Sequence, residues 1–405
     1  MLDDFGQRIR DIILSEMDLS RELSDEEICD LIGSVVSREA RDRPMTIKDR
    51  AELERTIFNS LRKLDVLQEL VDDRDVTEIM VNGPNDIFYE KAGRIQRFKG
   101  HFSSEEKLED VIQQIVGRHN RVVNQASPIV DTRLSDGSRV NIVLNPISIG
   151  GSAVSIRKFP EHPMSMERLV EIEALSPEVA RFLQILTQAK YNIFISGGTG
   201  SGKTTFLNAL SQYIPDDERI ITIEDSAELQ LLGAKNIVRL ETRNANTDGV
   251  TPITIRDLIR TALRMRPDRI IVGECRGAEA LDMLQAMNTG HDGSLSTGHA
   301  NSPHDIISRI ETMVLQGQDF PLNAIRQQIA SGIDIIVQLG RLRDKSRRVL
   351  EISEVDGFMD GEIVLHTLYR FEETAVLDSG RIQGFLKKAE TLCHTDKLMA
   401  AGLSV

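Results

Sequence analysis

The spacing of apolar positions changes twice along this chain. Up to about Val71 the apolar residues recur every three or four positions, and the run after Ser24 begins with a capping-box pattern completed by Glu27. A further helical pattern surrounds Phe58. We therefore interpret residues 1–72 as a helical module with a structural or partner-binding role and no catalytic residue.

After this module the apolar rhythm shortens to that of strands. The runs EIMVNG, DIFYEK and RIQRF predict three strands. A helix capped at Ser103, with Glu106 three residues on, follows, and two more strands flank the turn SDGS at 135–138. Residues 73–160 are predicted to form an α+β domain. The charged segment 161–176, which carries several turn signals, is predicted to be a linker or the first helices that join this domain to the next unit.

Strand and helix patterns alternate after Pro177. The runs NIFIS, ERIITIED, NIVRL, DRIIVGE and GSLSTGH predict strands that are separated by amphipathic helices. The tail from Asp334 to about Phe371 again predicts strands. Such alternation favours a mostly parallel sheet with helices on both faces, so residues 177–405 are predicted to form an α/β domain.

Composition narrows the class of protein. The net charge is −14, aromatic residues make up 4% and tryptophan is absent, which disfavours a direct nucleic-acid partner. Cys29, Cys275 and Cys393 lie too far apart in sequence for a disulfide framework or a C-x-x-C zinc module, and a reducing compartment fits them. No run of about 18 apolar residues occurs. The chain is therefore expected to be cytoplasmic, without a cleavable signal or transmembrane segment, and to reach a membrane only through partners.

The run from Gly197 to Thr204 has the pattern G-x-x-x-x-G-K-T and lies between an apolar strand and an amphipathic helix. Its glycines permit successive N–H groups to point at phosphate oxygens, and the opening helix adds its positive end. Lys203 would neutralise the β and γ phosphates, and the Thr204 hydroxyl would ligate Mg²⁺. Thr205 is either a further hydrogen-bond donor or only a helix residue. The predicted nucleotide-binding residues of the loop are Gly198, Thr199, Gly200, Ser201, Gly202, Lys203, Thr204 and Thr205.

Acidic residues follow two of the next predicted strands. In ITIEDSAELQL, Glu224 stands at the carboxyl end of a predicted strand, where ligands bind in parallel sheets, whereas Glu228 is more typical of a solvated surface charge. In RPDRIIVGECRG, Gly273 replaces the Asp that commonly holds the metal, so Mg²⁺ coordination must differ in detail. Glu274 is then the best candidate to polarise the attacking water.

The segment TGHDGSLSTGHAN contains His291 and His299. A shared zinc ion is disfavoured because a third ligand is lacking and eight residues of strand separate the two rings too widely. The remaining interpretations are a satisfied imidazole and, favoured over it, a sensor of the γ-phosphate.

These motifs stand in an order that resembles the secretion and pilus ATPase superfamily: the phosphate loop, the IEDSAE box, the IIVGE strand and the box GHDGSLSTGHAN. Within that superfamily the chain most resembles the TadA/CpaF family of tight-adherence (Flp, type IVc) pili. The resemblance is supported by RLETRNAN, TIRDLIRTALRMRPDRIIVGECRG, VTEIMVNGP and RLSDGSRVN, and it covers about Asp75 to Phe371. The absence of a tetracysteine module is unlike the type II secretion branch.

The resemblance implies a RecA-like P-loop core that follows a PAS-like α+β domain and an N-terminal helical module. It further implies a homohexamer that hydrolyses ATP with Mg²⁺ and lies at the periphery of the inner membrane. There it would act on platform proteins to assemble a pilus, and whether the same motor also retracts the pilus is left open. The catalytic residues implied by the resemblance are Glu224, Glu274, His299, Arg239 and Arg243, with the two arginines neutralising phosphate charge within one subunit or across a subunit boundary. The further nucleotide-binding residues that it implies in the α+β domain are Arg133, Arg139 and Arg157.

Several alternatives remain open on the sequence. Each of these arginines has a second interpretation as a surface ion pair, which contributes little. A conjugative type IV or a type II secretion ATPase would share the chemistry with a different cargo. A nucleotide-switched scaffold with little turnover is a different class, and Glu274 weighs against it. A DNA-translocating motor is disfavoured by the acidic charge.

Overall fold

The computed structural model describes residues 4–18, 20–21, 23–42, 45–91, 93–118, 122–159, 163–231, 233–243 and 251–405. The chain divides into two compact units, Met1–Glu161 and His162–Val405. The predicted boundary at 160/161 and the end of the RLETRNAN motif, 244–246, lie outside the described residues.

The first unit begins with helices, as predicted from the apolar spacing. The predicted capping box is confirmed: the Glu27 N–H donates to Ser24 Oγ at 3.2 Å, and the Ser24 N–H donates to the Glu27 carboxylate at 2.8 Å. Ile28, Ile32 and neighbouring apolar residues of these helices form one buried cluster. The helices are α1 (Asp4–Glu16), α2 (Asp25–Glu39), α3 (Ile47–Arg62) and α4 (Gln68–Asp72).

An antiparallel sheet follows in the same unit and confirms the predicted α+β, PAS-like arrangement. Its six described strands lie in the order β3-β2-β1-β6-β5-β4, and every neighbouring pair is antiparallel. Apolar residues of α5 share a buried cluster with those of the strands. The elements are β1 (Val76–Asn82), β2 (Ile87–Lys91), β3 (Arg94–Arg97), α5 (Glu105–Gly117), β4 (Ile129–Arg133), β5 (Arg139–Val143) and β6 (Ala153–Arg157).

The cap predicted for α5 is wrong by one residue. Ser104 rather than Ser103 is the N-cap, and its hydroxyl accepts the N–H of Lys107 at 3.2 Å. Ser103 matched the capping-box pattern because Glu106 follows at the third position, but the backbone of Ser104 is the extended one that a cap requires. Glu106 lies instead in the first turn, where a carboxylate favours the positive helix end.

The second unit is built on one sheet whose nine described strands lie in the order β15-β14-β13-β12-β7-β11-β10-β8-β9. The strands from β12 to β9 are parallel, whereas β13 to β15 form an antiparallel extension, of which β15 was not predicted. The strands are β7 (Ile193–Gly197), β8 (Arg219–Glu224), β9 (Asn236–Glu241), β10 (Arg269–Val272), β11 (Leu295–Gly298), β12 (Ile335–Arg341), β13 (Arg347–Met359), β14 (Glu362–Val376) and β15 (Ile382–Lys388).

Two apolar clusters cover this sheet. Ile193 and Ile195 of β7 belong to one cluster, and Phe194 between them belongs to the other, as expected when successive side chains of a strand point to opposite faces. The predicted parallel sheet with helices on both faces is confirmed. The helices are α6 (Met166–Glu171), α7 (Pro177–Gln188), α8 (Lys203–Ser211), α9 (Ile255–Ala262), α10 (Glu279–Asn288), α11 (Pro303–Gly317), α12 (Leu322–Gly332) and α13 (Asp396–Ala401).

Part of the segment predicted as a linker is helical. Met166 and Leu169 of α6 are buried in a core cluster of the second unit. Across the residues that the structure describes, no helix is both long and apolar enough to cross a lipid bilayer.

Candidate active site

The phosphate loop, residues 197–204, joins β7 to α8, and β7 is the middle one of the nine described strands. β7 is buried along its whole length and pairs with β11 on one side and β12 on the other. Its apolar sequence fits this position, because central parallel strands are covered on both faces. The loop therefore lies at the carboxyl end of the strands, where ligands bind in such sheets.

The glycines of the loop are required by geometry. Gly200 and Gly202 have φ of 72° and 94°, in the left-handed region that a Cβ disfavours. At Gly197 a Cβ would lie 2.6 Å from Ser201 Oγ and 2.7 Å from the Leu339 carbonyl oxygen. A side chain at any of these three positions would change the course of the loop.

Lys203 folds back over the loop from the first residue of α8. Its Nζ donates to the carbonyl oxygens of Gly197 at 3.0 Å and Gly198 at 3.2 Å, and it lies 3.2 Å from His299 Nδ1. Burial lowers the pKa of the Lys203 ammonium. Thr204 and Thr205 follow as half-buried helix residues.

Two side chains contact the carboxylate of Glu274, which follows β10: the imidazole of His299 and the guanidinium of Arg276. His299 Nε2 lies 2.6 Å from its Oε1, and Arg276 Nη2 donates to its Oε2 at 2.7 Å. His299 follows β11, the strand between β10 and β7. The sheet thereby brings Lys203, His299 and Glu274 into one connected chain of side chains.

Glu224, at the end of β8, is buried and holds the loop that follows it. Its Oε2 accepts the N–H groups of Glu228 at 2.6 Å and Leu229 at 2.8 Å. Gly273, on the neighbouring strand end, packs against it, and a Cβ there would lie 2.9 Å from Glu224 Cγ. The metal-holding Asp that the sequence lacks at 273 would collide with Glu224.

The structure does not bring every candidate to the phosphate loop of its own chain. Arg239 is exposed on β9, the edge strand, and four strand spacings of about 4.8 Å separate it from β7. Arg243 is also exposed, and its Nη2 donates to the Thr251 carbonyl at 3.2 Å. His291 precedes β11 whereas His299 follows it, so a strand separates the two imidazoles.

In the first unit, the three predicted arginines form a row. Arg133 lies directly opposite Arg139 on neighbouring strands, and Arg139 lies directly opposite Arg157, so all three side chains share one face of the sheet. Arg157 continues the row to Glu78, with Nη2 3.3 Å from Oε1. Direct like-charge opposition is unfavourable in a sheet, so such a row suits an anion.

Two arginines at the site were not singled out from the sequence. Arg276 contacts Glu274, and its Nη1 lies 3.9 Å from Asp225. Arg347, from β13, donates from Nε to the Gly200 carbonyl at 2.9 Å. Arg276 stands two positions after Glu274 in VGECRG and is therefore available to sequence reasoning, whereas nothing near Arg347 in sequence connects it to the loop.

The loop fits a nucleotide phosphate. The helix α8 begins at it, Lys203 supplies a positive charge, and the buried Ser201 Oγ has no hydrogen-bond partner among the described residues. The Thr204 hydroxyl and the nearby carboxylates are oxygen donors of the kind that Mg²⁺ prefers. The fold and the loop together define a P-loop nucleotide-binding protein.

Comparison with known proteins gives its family. The sequence profile of the family described as "Type II/IV secretion system protein" matches residues 60–397. Type IV secretion system protein PtlH of Bordetella pertussis (strain Tohama I) is 33% identical over 320 residues, which are 73% of this chain and 94% of PtlH. Conjugal transfer protein TrbB of Rhizobium radiobacter is 31% identical over 332 residues, 81% of this chain and 98% of TrbB. The solved structure of the pilus retraction motor PilT with bound ADP has a TM-score of 0.54 and 22% identity, covering 82% of this chain and 84% of PilT.

The chain therefore belongs to the type II/IV secretion system protein family, and it is an ATPase, as the resemblance of its motifs implied. The likeness to PilT concerns the fold and confirms the predicted RecA-like core.

Proposed function

We propose that this chain hydrolyses ATP with Mg²⁺ as a homohexamer that powers the assembly of a Tad/Flp type IVc pilus, with retraction by the same motor left as an open variant of the proposal. The observation that carries the proposal is the connected set Glu274, His299 and Lys203 at the phosphate loop. A protein that only bound nucleotide would have no need of a carboxylate held in this position.

In the proposed reaction Lys203 neutralises charge on the β and γ phosphates, and Glu274 polarises the attacking water and accepts its proton. His299 reports the γ-phosphate to Glu274, because it contacts both Glu274 and Lys203. Thr204, assisted by Glu224, would hold Mg²⁺, which supplies further charge neutralisation when bound. Catalysis of this kind depends on positioning and charge.

The proposal also assigns roles to five arginines. Arg239 and Arg243 serve the site of a neighbouring subunit, which is supported by the exposure of Arg239 on the edge strand and of Arg243 just beyond the end of that strand. The row of Arg133, Arg139 and Arg157 binds nucleotide phosphate, which is supported by its concentration of positive charge on one face. An arginine that reaches the transferring phosphoryl group contributes roughly 10³- to 10⁵-fold in rate.

The proposed partners are inner-membrane platform proteins of the pilus machine, to which the motor attaches from the cytoplasmic side. Glu274→Gln and Lys203→Ala, introduced into the chromosomal gene, test the proposal in the cell. We expect both substitutions to abolish surface pili while the protein is still produced. Normal piliation with either variant would contradict the proposal.

A second candidate is favoured by the relatives. PtlH is named for type IV secretion and TrbB for conjugal transfer, and each matches more than 70% of this chain. A conjugative or effector-secretion motor would use the same residues on a different cargo. In the same strains, loss of conjugal transfer or of protein secretion with intact pili would identify this alternative. Retention of all these activities by Glu274→Gln would instead indicate a nucleotide-switched scaffold.

A further inference from the structure

A cluster of metal-ligand residues lies in the second unit, away from the phosphate loop. One donor atom from each of Glu354, His366 and Cys393 lies within 4.8 Å of the other two. Glu354 of β13 pairs with His366 of β14 and, on its other side, with Ile335 of β12, which pairs with Ile193. Ile193 is the first residue of β7, so the cluster is in register with the end of that strand opposite the loop.

Asp356 fixes the orientation of the His366 ring through the ring nitrogen that does not face Cys393. Its Nε2 lies 3.2 Å from Asp356 Oδ2, and its Nδ1 lies 3.2 Å from Cys393 Sγ. The carboxylate accepts a hydrogen bond from Nε2–H, which leaves the lone pair of Nδ1 directed at the thiol. Metal-binding histidines are commonly oriented by such a carboxylate on the second ring nitrogen.

The buried carboxylate of Glu354 fixes the position of the thiol. Its Oε2 accepts the Cys393 N–H and its Oε1 accepts the His394 N–H, both at 2.7 Å. Glu354 is only 1% exposed, so this segment is attached to the sheet at a defined point. Each carboxylate oxygen keeps a second lone pair after these bonds.

The separation of the sulfur and nitrogen donors is close to that between two ligands of a tetrahedral ion. Zinc bonds of about 2.3 Å to sulfur, 2.0 to 2.1 Å to nitrogen and 2.0 to 2.2 Å to oxygen place neighbouring ligand atoms about 3.3 to 3.6 Å apart. The separation of Cys393 Sγ and His366 Nδ1 is 3.2 Å, and Glu390 Oε2 lies 3.6 Å from the same Nδ1 on the exposed side. Thiolate, imidazole and carboxylate together favour Zn²⁺ over the hard cations Mg²⁺ and Ca²⁺.

The charges also favour a cation. Two carboxylates border the cluster, since Glu354 accepts the Cys393 N–H and Asp356 contacts the His366 ring. Binding of a divalent ion to the thiol would replace its S–H bond by a sulfur–metal bond and release one H⁺ into solution. Glu390 adds a third carboxylate to this surface.

We propose that Cys393, His366 and Glu354 bind Zn²⁺, with Asp356 as a positioning residue. The ion fastens the segment that follows β15 to β13 and β14. Beyond that segment begins α13, whose Lys397 Nζ lies 2.6 Å from Asp334 Oδ2. The site is independent of nucleotide chemistry.

Cobalt substitution tests the proposal. The tag-free full chain is stripped of metal with a chelator and titrated with Co²⁺ alone, and the thiolate-to-cobalt charge-transfer absorption is recorded. We expect one Co²⁺ per chain with this absorption, its displacement by Zn²⁺, and its loss in Cys393→Ser. Asp356→Asn is expected to weaken binding about 10- to 100-fold while the absorption is retained at saturation.

The matched control is Cys29→Ser, which removes the other exposed thiol and should leave the titration unchanged. Divalent ions at Thr204 have oxygen ligands and give no thiolate absorption, so they do not interfere. A Zn²⁺-dependent rise in Tm in the wild type, absent in Cys393→Ser, is the second expected result. Absence of thiolate absorption in the wild type at excess Co²⁺, or its persistence in Cys393→Ser, would overturn the proposal.

Discussion

His299 Nε2 lies 2.6 Å from Oε1 of Glu274, and the other ring nitrogen of His299 lies 3.2 Å from Lys203 Nζ. The imidazole thus connects the lysine that meets the phosphates with the carboxylate proposed to act on water. Any movement of Lys203 toward a bound phosphate changes the contacts of His299, and through them those of Glu274.

The contacts of His299 with Glu274 and Lys203 predict that His299→Asn impairs turnover and leaves ATP binding nearly unchanged. We expect kcat to fall about 10²- to 10³-fold, because an oriented hydrogen-bonding group is lost at the reacting centre. ATP affinity should change little, since Lys203 and the loop remain. Phosphate release and fluorescent-nucleotide binding measure the two effects separately. His291→Asn, altered at the opposite end of β11, should behave as wild type, and an equal loss there would contradict the assignment.

The pH dependence of turnover follows from the surroundings of His299. Burial is the largest cause that lowers its pKa from 6.5; the carboxylate of Glu274 opposes this shift, and the cations Lys203, Arg276 and Arg309 add to it. Neutral imidazole therefore persists in the folded protein when the pH falls through 6.5. We expect kcat to be constant from about pH 8 to 6.5 and to fall only below that range.

The same shift has a consequence for stability. Because the unfolded histidine takes up a proton at a higher pH than the folded one, its contribution to the free energy of unfolding is present above 6.5 and is lost as the pH falls below. His299→Asn should remove this contribution and displace the acid limb of the rate profile. An acid limb centred above 6.5, or one unchanged in the variant, would refute this account.

A buried ion pair supports the sheet beneath the site. Arg269 is fully buried, and its Nε and Nη2 donate to the two carboxylate oxygens of Glu218 at 2.5 and 3.0 Å. Arg269→Met should lower the free energy of unfolding by about 3–5 kcal/mol in urea denaturation, because it leaves the Glu218 charge buried without this partner.

Arg168→Met is the matched control for that change. Arg168 pairs with Glu171 on the surface, where both side chains are about 60% exposed, and its loss should cost less than about 1 kcal/mol. Arg269→Met combined with Glu218→Met should recover most of the lost stability. A double variant as unstable as the single one would show that the pair is not the cause.

The proposal for Arg239 predicts complementation between inactive subunits. Lys203→Ala lacks a working phosphate loop but keeps Arg239, whereas Arg239→Ala has the reverse defect. If Arg239 serves a neighbouring subunit, mixing the two should restore part of the ATPase activity. Mixing Lys203→Ala with Glu274→Gln should restore none, because both residues lie at the same site. Equal activity of the two mixtures would contradict the assignment.

Much of this site could be predicted because its signals are local. Gly200, Gly202 and Lys203 stand within one short segment, and their roles follow from backbone angles and charge. The alternation of strand and helix patterns likewise placed the loop at the carboxyl edge of a parallel sheet.

What escaped prediction depends on contacts distant in sequence. Arg347 reaches Gly200 from 147 residues away, through a hairpin whose register no local pattern encodes. The metal-ligand cluster was missed because His366 and Cys393 meet only when the chain after β15 folds back over the sheet. The α5 cap was misplaced because a side-chain pattern favoured Ser103 while the backbone selected Ser104.

The most direct test of the central claim is phosphate release from ATP by the purified wild type across a range of protein concentrations, beside Lys203→Ala and Glu274→Gln. The account predicts turnover that rises more than proportionally with concentration. It also predicts that both variants abolish turnover while Glu274→Gln still binds ATP. A wild type that binds ATP yet turns it over no faster than Glu274→Gln would contradict it.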